Sequence, residues 1–99
     1  MKITGTPQMT ILQSGKSLKV LQVTGREGMS MPEHFSTMEA VIIIQKGSAI
    51  LGMKGNEYLL LQDQSFIIPG GENHTLSIKE QFQATVIMGN DSEIKFVNF

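Results

Sequence analysis

The stretch AVIIIQKGSAILGM, residues 40–53, decides how this chain folds. Its two runs, Ala40 to Gln45 and Ser48 to Met53, are short, β-branched and without an apolar stripe at 3.6-residue spacing. Between them stands Lys46-Gly47, where glycine supplies the positive φ that a tight hairpin needs. The expectation is two strands joined by a turn. The same grammar runs outward in both directions. Met9 to Leu12, Leu18 to Val23, Glu57 to Leu61, Ser65 to Ile68, His74 to Ile78, Gln83 to Met88 and Ile94 to Phe99 are further strand-like runs. Ser14-Gly15-Lys16, Gly25 to Gly28, Lys54-Gly55-Asn56, Pro69-Gly70-Gly71 and Gly89-Asn90-Asp91 punctuate them. Helical evidence is confined to a candidate turn over Glu33 to Ala40. About nine strands with short connections predict an all-β domain: a sandwich, jelly roll or small barrel.

Several runs are apolar on both faces. Val41-Ile42-Ile43-Ile44, Leu59-Leu60-Leu61 and Phe66-Ile67-Ile68 do not alternate with polar residues. Successive strand side chains point to opposite faces, so one face fills the interior and the other needs cover. A second protomer would supply it, and a homodimer is expected. Terminal strands of the same chain are the plainer alternative.

At 99 residues the chain has the size of one domain, and the reading takes residues 1–99 as that domain. It has no cysteine, which excludes disulfides, thiolate metal sites and a cysteine nucleophile. Net charge is -1, and Arg26 is the only arginine among scattered cations, so nucleic acid is not an expected partner. No apolar run reaches about 18 residues, and no membrane partner is expected. MKITGTPQMT lacks the apolar segment of a secretory signal, which makes a cytoplasmic location the expectation. Without such a signal, Asn73-His74-Thr75 and Asn90-Asp91-Ser92 read as chance matches to the glycosylation pattern.

Chemistry has few carriers. The only histidines are His34 and His74. A lone histidine is more often a hydrogen-bonded structural residue than a ligand. Here both stand where a Gly/Pro-rich segment enters an apolar strand: GMSMPE before His34 and PGGEN before His74. That is a common position for a group at a pocket mouth.

At these residues the chain resembles the cupin family. The family's first motif runs glycine, five residues, His-x-His, three or four residues, glutamate, six residues, glycine. Gly28, His34 and Gly47 match it, while Ser36 stands at the second histidine and Ala40 at the glutamate. The second motif runs glycine, five residues, Pro-x-Gly, two residues, histidine, three residues, asparagine. Pro69, Gly71 and His74 match it, while Asp63 and Ile78 depart from its ends. The resemblance implies a double-stranded β-helix, a jelly-roll barrel. It also implies a site of three histidines and one glutamate for a divalent metal such as Fe, Mn, Ni or Zn.

Two of those four ligands remain here, His34 and His74. Serine is a poor ligand and alanine none. Glu39 lies one residue before the glutamate position and faces away if Ala40 faces inward, unless a bulge re-aims it. The metal site is therefore expected to be weak or incomplete. If Ala40 points inward so do Ile42 and Ile44, and Leu76 and Ile78 share the face of His74. The expected pocket is lined by His34, Ser36, Ala40, Ile42, His74 and Leu76, and suits a small, partly apolar molecule. A filled core is the alternative. The thioethers of Met29, Met31 and Met38 near His34 raise copper(I), but methionines are commonly flexible packing groups, and that reading is preferred.

Three functions follow. The first is a small-molecule-binding domain with at most a weak metal site. The second is a metal-dependent oxygenase or isomerase with His34 and His74 as ligands and Glu39 or a substrate oxygen completing the sphere; acid/base catalysis by the same histidines, with Ser36, Glu33, Glu39 or Tyr58 nearby in some geometries, needs no metal. The third is a structural or interaction domain with a filled barrel. A shared fold cannot choose among them.

Overall fold

The computed structural model describes residues 5–97. Asn98 and Phe99, the end of the expected run Ile94 to Phe99, lie outside the described residues. The strands are β1 (Gln8–Ser14), β2 (Leu18–Gly25), β3 (Ser30–Ser36), β4 (Ala40–Met53), β5 (Asn56–Leu61), β6 (Ser65–Ile68), β7 (His74–Gly89) and β8 (Ile94–Phe96). No helix occurs among the described residues.

All strands join one eight-stranded sheet with antiparallel pairing throughout. The long strands β4 and β7 run side by side, from Ala40 opposite Met88 to Met53 opposite His74. Other strands attach to different halves of this pair. The first half of β4 carries β6, and the second half of β7 carries β2 and then β1. The second half of β4 carries β5, and the first half of β7 carries β3 and then β8. The sheet thus has two wings that share β4 and β7, and the core lies between them. Ile44, Ala49, Leu51, Phe82 and Ala84 are at most 2% exposed there.

Two expected turns are corrected by this arrangement. Lys46-Gly47 does not separate two strands; it is a bulge inside β4. The pairing with β7 slips around Lys46 and Ser48. Buried positions run Ala40, Ile42, Ile44 before the bulge and Ala49, Leu51, Met53 after it, with Ser48 buried beside them. An added residue reverses the alternation, so both halves of one strand present apolar side chains to the same interior. Glycine is required at its centre, because Gly47 has φ +79° and an added Cβ would overlap the Gln81 carbonyl oxygen. Likewise His74 to Ile78 and Gln83 to Met88 form one strand, with exposed Lys79-Glu80-Gln81 beside the β4 bulge.

The second correction concerns Glu33 to Ala40, where no helical turn forms. Glu33 to Ser36 belong to β3, and its pairing with β7 slips between Met31 and His34. Met31 and His34 are both buried although three positions apart. Only an irregular strand allows that, and Pro32, which has no N–H to give a ladder, sits in the irregularity.

The outer face of the β1–β2–β7–β4–β6 wing carries an aliphatic row, beside which Gln22 pairs with Thr85. Ile67 pairs with Val41, Val41 with Ile87, and Ile87 with Val20, which makes one row across four strands. Ile67 and Leu18, at the margins, are 55% and 56% exposed.

Substituting Gly47 with alanine is expected to lower unfolding stability by about 2 kcal/mol or more, through the left-handed backbone and the clash with Gln81. Urea titration of Gly47→Ala beside Gly55→Ala checks this. Gly55 also has positive φ, but an added Cβ there meets open space, so the smaller loss should occur at position 55.

Candidate functional site

The irregularity in β3 sets His34 directly opposite His74 on β7, as an antiparallel cross-strand pair. Both imidazoles are buried, and their ring centroids lie 4.3 Å apart in an edge-on arrangement. Phe96 of β8 packs on the other side of His34, with ring centroids 5.2 Å apart.

Each imidazole is tied to its own chain two residues upstream. His34 Nδ1 is 2.7 Å from the Pro32 carbonyl oxygen, and His74 Nδ1 is 2.9 Å from that of Glu72. A carbonyl only accepts, so each Nδ1 carries the proton and donates. In the neutral ring Nε2 then keeps a lone pair. Neither Nε2 has a hydrogen-bond partner among the described residues. Both residues line the same cavity.

Burial holds both histidines below the ordinary value of 6.5, because it penalises the imidazolium. The backbone acceptors Pro32 and Glu72 oppose this in part, and the Glu72 carboxylate adds a small upward push on His74. His74 lowers His34 further. Near neutral pH the pair is therefore uncharged.

A cavity of about 50 Å³ lies against the pair, between the two wings. All six residues expected to line a pocket line this one: His34, Ser36, Ala40, Ile42, His74 and Leu76. Val23, Leu51, Ile68 and Val86 make most of the remaining wall apolar. Ser36 Oγ donates to the Met38 carbonyl at 2.8 Å, which fixes the end of β3. His74 also lines a wider, open groove of about 330 Å³ outside the barrel, beside Glu33, Gly52, Lys54, Glu57 and Asn73. His74 thus borders both the interior cavity and the outer groove.

Other expected participants lie elsewhere. Glu39 is exposed and does not line the cavity. No bulge turns it inward, because regular pairing of Ala40 to Ile43 with both β6 and β7 fixes the face at the start of β4. Glu33 is exposed and borders only the outer groove. Tyr58 packs against Phe66, with ring centroids 5.2 Å apart. Of the methionines singled out near His34, only Met31 reaches the cavity; Met38 is half exposed, and Met29 accepts a contact from Arg26 N in its own turn. Met9 and Met88 also line the cavity. Sequence proximity to His34 could not reveal them, because they arrive on β1 and β7.

The residues do not fit the divalent centre that the family resemblance implies. No group of three or more His, Asp or Glu side chains suited to a metal ion occurs among the described residues. Alanine and a hydroxyl already donating to Met38 replace two ligands, and no carboxylate lines the cavity.

No family model matches this sequence, and no curated protein matches it. Solved structures match its shape. A cupin superfamily protein from Desulfitobacterium hafniense is 15% identical with a TM-score of 0.78, over 92% of this chain and 84% of that one. A protein with a double-stranded β-helix domain from Klebsiella pneumoniae is 15% identical with a TM-score of 0.82, over 96% and 87%. The DMSP lyase of Ruegeria pomeroyi is 20% identical with a TM-score of 0.83; 93% of this chain is covered, and it spans only 52% of the lyase. At these identities the likeness defines the architecture. The chain has the cupin fold, a double-stranded β-helix.

The histidine pair gives stability a pH dependence of definite sign. Unfolded imidazoles titrate near 6.5, and the folded ones below it. Between those values the unfolded chain binds more protons, so the pair's contribution is complete above 6.5 and is lost as pH falls. The urea midpoint is expected to be lower at about pH 5 than at about pH 7.5. A flat profile across that window would contradict the neutral pair.

Proposed function

We propose that this chain is a cupin-fold binding module, and that its ligand is held through the Nε2 atoms of His34 and His74. The observation that carries this reading is the matched pair of Nδ1 anchors on two residues that line one cavity, which leaves each Nε2 as a neutral acceptor. Such a pair favours a small ligand that donates hydrogen bonds. The apolar wall favours an uncharged one. About 50 Å³ holds only a few heavy atoms, far below the roughly 300–1,000 Å³ of a drug-sized pocket. A larger ligand would extend past His74 into the outer groove. A void against the histidines also speaks for binding over a filled structural barrel.

A second reading, an enzyme, draws on the same atoms. A neutral imidazole with a free Nε2 is a competent general base near neutral pH. The fold it shares with a lyase makes that chemistry a reasonable target. Both readings are tested by following the imidazole ¹⁵N signals while small amides, alcohols and carboxylic acids are added. Binding should shift the Nε2 signals and leave Nδ1 protonated. Unmoved signals throughout the series would defeat the binding reading, and turnover of a binder would favour the enzyme.

We further propose that a second copy of this chain covers the aliphatic row Ile67–Val41–Ile87–Val20. The row carries no charge that would select a polar or ionic partner. An isologous two-fold contact needs only a patch complementary to itself, which an uncharged aliphatic row satisfies. Light scattering at micromolar concentration should give twice the chain mass of 10.9 kDa. Ile67→Lys alters an exposed side chain and should yield a folded monomer. A monomeric parent protein would remove this proposal.

A further inference from the structure

The turn after β2 and the bulge in β4 bring two cations to one groove. The register of β1, β2, β7 and β4 sets Gln8 opposite Thr24, Thr24 opposite Gln83, and Gln83 opposite Lys46. Neighbouring strands lie about 4.8 Å apart, so these four residues make a polar row about 14 Å long. Together with Arg26 and Gln81 the row lines an open groove of about 380 Å³. Arg26 is the only arginine of the chain. The groove shares no residue with the histidine cavity.

Its charge is one-sided. No Asp or Glu lines it. Glu27 and Glu80 stand next to lining residues in sequence, and Glu80 is engaged elsewhere, accepting from Ser48 Oγ at 3.1 Å. The ion pairs among the described residues engage Lys54 and Lys95, not Arg26 or Lys46. Both cations stand on fixed backbone. Met29 N–H donates to the Arg26 carbonyl at 3.1 Å, and Lys46 belongs to the bulge that lies against the Gln81 backbone.

We propose that this groove binds a small organic dianion, with its oxyanion charge on Arg26 and Lys46 and its polar body on Thr24 and the glutamine amides. A guanidinium presents a planar fork of donors that matches carboxylate and phosphate oxygens, and an ammonium adds a mobile point charge. Two cations without an acid between them select two negative charges over one. The amides and hydroxyl both donate and accept, which selects a polar body over an apolar one. Size agrees, since about 380 Å³ falls in the roughly 300–1,000 Å³ range of small-molecule pockets. The aliphatic row assigned to a second copy is separate, because Val20 lies four residues from Thr24, roughly 13 Å along β2.

The ordinary explanation of exposed Arg and Lys is that they are solvated and select no partner. The two explanations differ in what they allow. Solvated cations attract anions weakly and all over the surface. A site saturates, acts locally and discriminates by charge.

The test follows backbone amide signals of the full chain at about pH 7.5, where a phosphate monoester is mostly dianionic, with ionic strength held constant. Glycerol 3-phosphate, succinate and acetate are added in turn. The first carries its charge on one group and the second on two, so the tighter of them names the arrangement the groove selects. The expected result is a saturable shift confined to residues 24–29, 46–47 and 81–83, at least tenfold tighter for a dianion than for acetate. Arg26→Gln and Lys46→Gln alter exposed side chains, so the fold should be retained, and each should weaken binding about fivefold or more. Lys16→Gln alters an exposed lysine outside the groove and should leave binding unchanged. The imidazole signals of His34 and His74 should stay in place. Equal binding of acetate and the dianions would overturn the proposal. So would shifts that never saturate or that spread over the whole chain, or undiminished binding when both cations are replaced. Movement of the imidazole signals instead of the groove amides would end this proposal and leave the histidine site standing.

Discussion

The pairing of β4 with β7 is the constraint on which the rest of this molecule depends. Each strand serves both wings, so each must present a core face to one interior along its whole length. A regular strand of fourteen or sixteen residues does this only if the sheet stays nearly flat. Here it curls, and the β4 bulge at Lys46-Gly47-Ser48 absorbs the change. The bulge shifts the buried positions of β4 from even to odd, and β7 keeps its even positions buried on both sides of the exposed Lys79-Glu80-Gln81. Without that shift, Leu51 and Met53 would face solvent and the second wing would lose its lining.

The same device, used again on a smaller scale, makes the site. A slip at Pro32-Glu33 lets Met31 and His34 both face inward. It also leaves the Pro32 carbonyl within reach of the imidazole it has just re-aimed. Strand irregularity, burial and tautomer are therefore one linked result of a four-residue stretch. His74 reaches the equivalent state with Glu72 as its acceptor, at the entrance to β7. Two local anchors, each made within three residues of chain, leave two lone pairs on residues that line a common space.

Much of this was legible in sequence, and the gaps have physical causes. Strand positions read well because β-branched runs and Gly-rich punctuation are local signals. Joining runs into long strands did not, because Lys46-Gly47 has the same composition whether it turns a hairpin or forms a bulge. The difference lies in the Gln81 carbonyl that approaches Gly47 from β7, which no local pattern contains. β3 was hidden because Pro32 and Glu33 break the alternation that marks a strand. At the site, positions inside motifs were readable: the six expected residues share one cavity. Met9 and Met88 were not, since they are brought there by pairings of β1 with β2 and of β2 with β7.

The central place of β7 has a consequence in time. It is the partner of β2, β3 and β4, yet it lies near the end of the described chain. Ala40 meets Met88, and Leu18 meets Gly89, so the decisive pairings join residues far apart in sequence. Such closures are slow relative to hairpins, because chain entropy is spent before the contacts repay it. As the chain emerges from the ribosome, the β1–β2 and β4–β5 hairpins can form at once. Their apolar faces must then wait for residues 74–89. The protein thus passes its synthesis as a set of half-sided ribbons, and becomes a barrel only when its central strand arrives.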